Sequence, residues 1–171
     1  SLEGKSVYVK NTALKKLQNY DYHLDDEMLL KLIKEGVGGK ETIPFAINNS
    51  GKCLIEIANS KDSKIIKKLV SELKNKFNSF EEPVIQLLIK NNCHIVLGRW
   101  LQGRKDSQSD ELRWQIIENE ELDEIERSRL LERLMGRINE EEIKVKSKQL
   151  FETTNSELLK IIAHNLSTAG D

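Results

Sequence analysis

From Asp110 to Asp171 the chain contains no proline, and Leu and Ile recur there at helical spacing. This constrains the fold most. Leu112, Ile116 and Ile117, then Leu122 and Ile125, then Leu130, Leu131, Leu134 and Met135 mark two helices or one kinked helix. Gly136 weakens continuation by about 1 kcal/mol relative to alanine. Residues 139–151 also read as helix. Thr154-x-x-Glu157 has the spelling of a capping box that opens a last helix bearing Leu158, Leu159, Ile161, Ile162 and Leu166. An all-helical C-terminal third follows.

The first hundred residues read as mixed. Val7 to Val9 suggest a short extended arm before a helix from Thr12 to Tyr20. Asp25, Asp26 and Glu27 place acids where a helix N-terminus favours them, and Gly36 is a natural stop. Ile43, Phe45 and Ile47 alternate, Asn48 to Gly51 form a turn cluster, and Cys53, Ile55 and Ile57 alternate again. That pattern predicts a hairpin over 42–58, with Pro44 on an edge strand. Ile65, Ile66, Leu69, Val70, Leu73 and Phe77 give an amphipathic helix with Lys64, Lys67, Lys68, Lys74 and Lys76 opposite. Pro83 fits the first turn of a short helix to about Lys90. Cys93, Ile95 and Leu97 suggest a third strand over 93–101. The expected fold is therefore α+β and helix-dominated, with a small antiparallel sheet packed on helices. The expected domains are 1–105 and a helical extension 106–171, unless the two form one continuous domain, with the polar stretch Gly103 to Ser109 as the join.

Charge divides along the chain. The net charge is −1, but residues 1–76 have a balance of +4 and residues 108–171 one of −6. The total implies neither a polyanion nor a polycation ligand. The two cysteines have no paired spacing, which fits buried thiols in a reducing, cytoplasmic compartment. No stretch of 18 apolar residues exists, so no membrane span is expected. No signal-peptide h-region follows Ser1 to Gly4.

Several motifs resemble sites without completing them. Gly36-x-Gly38-Gly39-Lys40 resembles a phosphate loop, but Glu41 stands where a hydroxyl is needed, and a helix before and a strand after are expected. Asp62 with Glu72-Leu73-Lys74 matches the spelling of a metal-dependent nuclease core, a reading that requires Glu56, Asp62 or Glu72 to line a common pocket. A helical pattern at 72–74 turns those side chains apart. Asp106 to Asp110 begins like a calcium loop, but Glu111 and Ile117 break it, and a helix cap is the better reading. His23, His94 and His164 share no ligand spacing, and Cys93 and His94 point apart. No metal, cofactor or catalytic residue is assigned.

Two binding candidates remain. Arg99, Trp100, Arg104 and Lys105 combine cations and an indole beside a loop. They suit an interface anchor or a nucleic-acid contact, and a core tryptophan would explain them equally. Arg129 and Arg133, with Arg137, fall at helical spacing among acids, as a salt-bridged face also would. The leading expectation is a non-catalytic interaction or regulatory module acting through helix packing, with a protein partner or a second copy. Nucleic-acid binding is second, and a metal-dependent nuclease third.

Overall fold

The computed structural model describes residues 6–18, 20, 23–36, 39–137 and 140–169. Among them it holds eleven α-helices, one 3-10 turn and no strand. The chain divides into two compact units, Ser1–Trp100 and Leu101–Asp171.

The first unit carries α1 (Val7–Gln18), α2 (Asp26–Lys34), α3 (Gly39–Asn49), α4 (Lys52–Ala58), α5 (Ser63–Lys76), α6 (Pro83–Lys90) and α7 (His94–Trp100). α3 is its hub and packs against α1, α2, α4 and α5. α5 also packs on α7. The core is mostly Leu and Ile, with Leu29, Ile43, Leu54, Leu69, Leu73 and Ile85 fully enclosed.

The expected sheet is absent. Residues 42–58 form α3 and α4 with a tight turn between them, in which Ser50 is left-handed at φ 48°. Thr42, Ile43, Phe45, Ala46 and Ile47 are all buried, because neighbours surround α3. A helix buried on several sides loses its polar stripe, so a short apolar run gives no helical period. In α4 the buried residues are Cys53, Leu54, Ile57 and Ala58, a helical spacing that alternation masks. Pro44 lies inside α3. Residues 94–100 form α7 rather than a third strand, and Cys93, Val96, Leu97 and Trp100 are buried at i, i+3, i+4 and i+7. Val7 to Val9 open α1 instead of an extended arm. At the glycine-rich loop, residues 37 and 38 lie outside the described residues. A helix, not a strand, follows it, with Lys40 in the first turn of α3.

Aspartate side chains cap the starts of α2, α5 and two later helices. The Asp25 carboxylate accepts from the Met28 N–H at 2.8 Å, and Asp62 accepts from Lys64 N–H at 2.9 Å. α4 begins at Gly51 and has no cap of its own. Asp26 of α2 takes that place and accepts from the Cys53 N–H at 3.2 Å. A Cβ on Gly51 would meet Asp26 Oδ1 at 2.9 Å. Gly51→Ala is therefore expected to destabilise by about 1 kcal/mol through the lost cap. Gly136→Ala, whose Cβ meets nothing within 4 Å, should be neutral or stabilising. Urea midpoints compare the two, and equal effects would refute the cap.

The second unit carries α8 (Ser107–Glu118), α9 (Glu124–Glu132), a 3-10 turn (Arg133–Arg137), α10 (Glu141–Thr153) and α11 (Glu157–Thr168). Asp106 caps α8, accepting from Ser109 N–H at 2.9 Å. The 3-10 turn ends the α9 pattern before Gly136. α10 and α11, joined by residues 154–156, pack against each other, and α11 also packs on α9. The cap of α11 is Ser156, which accepts from Leu159 N–H at 3.1 Å, so Thr154 is not the N-cap.

Candidate interaction site

Of the residues expected to bind, Arg99 and Trp100 belong to the first unit, and Arg104, Lys105, Arg129 and Arg133 belong to the second. Trp100 is 2% exposed, and its Nε1 donates to the Phe77 carbonyl at 3.0 Å. Its ring meets Phe80 edge-on at 5.2 Å. Arg99 is half-buried and Lys105 exposed. Arg104 Nε donates to Ser109 Oγ at 2.9 Å and helps hold the start of α8. Arg129 pairs with Glu126 at 2.7 Å, and Arg133 is exposed where α9 gives way to the 3-10 turn. That change of helix type removes Arg137 from the expected stripe. Arg137 instead donates to both Asp110 oxygens and to Glu140.

Two other arginines organise the second unit. Arg113 is 5% exposed and reaches the Leu101 carbonyl at 2.6 Å, the Arg104 carbonyl at 2.5 Å and Asp110 at 2.5 Å. Burial pulls the Arg113 guanidinium below its ordinary value, against the pull of Asp110. The Arg137 guanidinium is raised above its ordinary value by the hydrogen bonds it donates to Glu140 and Asp110. Arg127 is 2% exposed and donates to the Ile117 carbonyl at 2.8 Å and to Glu120 at 3.2 Å. Glu120 also accepts from Thr154 Oγ1 at 2.8 Å, which ties the α8–α9 turn to the α10–α11 turn. Arg127 was readable from its place at i, i+3, i+4 and i+7 with Leu130, Leu131 and Leu134. Arg113, between Leu112 and Trp114, carried a weaker version of the same signal.

Thr154, and then Arg127, hold the Glu120 carboxyl below its ordinary value of 4.5. A carboxylate depressed on folding stabilises only while ionised. Its contribution is complete above pH 4.5 and is lost as pH falls through the depressed value. Stability is expected to drop more steeply on acidification in the wild type than in Glu120→Gln. Urea midpoints measured between about pH 3 and pH 6 check this. Parallel curves would exclude a role for Glu120.

The motifs that resembled chemistry are dispersed. Asp62 caps α5, and Glu72, ten residues on, pairs with Lys68 and Lys76. Ten residues of helix rise span about 15 Å, too far to share a metal. Glu56 is exposed on α4. No group of three His, Cys, Asp or Glu among the described residues could hold a metal ion. Burial, with Asp26 and Glu56 adding to it, pushes the Cys53 thiol up to about 12. Burial pushes Cys93 up to about 11. Thiols held so far from thiolate are poor nucleophiles.

The feature that lacks an internal explanation is α11. Leu159, Ile162, Ala163 and Leu166 are buried on one side. On the other, Leu158 is exposed and Ile161 is 61% exposed, with the exposed Asn165 one turn beyond. Val145 and Phe151 of α10 are exposed as well, and the Phe151 ring lies tilted at 45° beside His164, with centroids 5.7 Å apart. No helix among the described residues is long and apolar enough to cross a membrane. The chain matches no family model, and the searches of curated proteins and of solved structures found no match.

Proposed function

We propose that this chain is a non-catalytic protein-interaction module that docks through its helices. The observation behind the reading is α11, whose inner side is buried and whose outer side exposes Leu158 and Ile161 among polar residues. Large apolar side chains grouped on an exposed face mark an interaction site. Covering a fully exposed Leu or Ile is favourable by about 1.5–3 kcal/mol each. Leu158 and Ile161 therefore supply a centre for a contact. Glu157 and Lys160, paired at 3.2 Å, supply a polar rim.

The occupant we test is a second copy, as the simplest partner for such a face. Sedimentation of the wild type over a concentration series should show association. Ile161→Glu, at a site exposed in the monomer, should abolish the association that persists at high salt and leave helix content unchanged. A wild type that stays monomeric at millimolar concentration would remove this reading.

A further inference from the structure

A second surface on α5 extends that reading and names a partner surface. Lys64, Lys67, Lys68 and Lys76 are exposed along α5, and Lys61 just before its cap is exposed too. Glu72, the one acid within α5, is taken by Lys68 at 2.9 Å and Lys76 at 3.5 Å. Lys61, Lys64 and Lys67 enter no ion pair among the described residues. Lys61 and Lys64 also stand at the helix N-terminus, where the macrodipole disfavours cations. Such an arrangement costs stability unless an outside anion faces it. Ile65, half-buried, lies among these lysines.

The second unit carries the complement. From Glu118 to Glu126 there are six acids and no lysine or arginine. Glu118, Glu120, Glu121, Asp123 and Glu124 are exposed. Ile125, 55% exposed, stands among them. A lipid surface fits α5 less well. The apolar side of α5 (Ile66, Leu69, Val70 and Leu73) is used inside the first unit, and no large exposed apolar residue of α5 is left to enter a bilayer.

We infer that the lysine face of α5 in one copy docks on the acidic α8–α9 turn of a second copy, with Ile65 and Ile125 at the centre and the charges as the rim. The two surfaces differ, so the contact is head-to-tail and builds rings or open chains. Exposed ion pairs are individually weak and are screened by salt, so the contact is weak and salt-dependent. The α11 contact is apolar and persists at high salt, which separates the two.

Sedimentation at low and at high salt tests this. In Ile161→Glu, which lacks the α11 contact, self-association should weaken at least tenfold from low to high salt. Lys64→Glu with Lys67→Glu should lose the salt-sensitive part, and so should Glu118→Lys with Glu121→Lys. These positions are exposed, and circular dichroism checks that both variants fold. Mixing the two charge-reversed variants should restore association, because each now complements the other. Undiminished association of either variant alone, or no recovery on mixing, overturns the proposal. Retention of the wild type on duplex DNA with no salt-sensitive self-association would assign the lysines to phosphate and also overturn it.

Discussion

Replacing Trp100 by alanine is expected to destabilise the first unit by about 3–5 kcal/mol. The indole is buried at the end of α7 and joins α7 to the segment between α5 and α6. It does so by its hydrogen bond to the Phe77 carbonyl and its edge contact with Phe80. Removing it opens a cavity and strands a carbonyl. Trp100→Phe keeps most of the volume but loses the donor, so a smaller loss of about 1–3 kcal/mol is expected. Urea unfolding followed by circular dichroism measures both. If the alanine variant lost less than about 1 kcal/mol, Trp100 would not be the core anchor described.

Arg113→Ala is expected to cost the second unit about 3 kcal/mol or more. The guanidinium serves the Leu101 and Arg104 carbonyls and Asp110 at once. Asp110 keeps Arg137 as a partner, so the main loss is at the two carbonyls. Lysine should rescue only in part, since an ammonium lacks the planar fork that reaches several acceptors. The fluorescence of Trp114, buried on the same helix, follows the transition directly. A lysine variant as stable as the wild type would show that charge, not the fork, is what matters here.

Trp100 and Arg104 carry the chemistry of binding residues, and a list of residue types cannot tell a wet indole from a dry one. The difference lies in Phe77 and Phe80, which are twenty or more positions away in the chain. α11 is the opposite case. Its Leu and Ile positions were legible, but only packing against α9 and α10 showed which of them remain outside.

The amino-acid sequence by itself determined the amphipathic helices. The stripe of α5, the acidic caps Asp25, Asp62 and Asp106, and the proline-free C-terminal helices are local signals, set by residues three or four apart. It also determined the split between a basic first part and an acidic last part. Only the tertiary structure decided that 42–58 and 94–100 are helices. There the apolar residues alternate by chance of composition, and burial on several sides removes the polar face that marks a helical period. Only the tertiary structure decided, too, that Arg113 and Arg127 lie inside, because their partners are backbone carbonyls, which every sequence contains and no sequence marks.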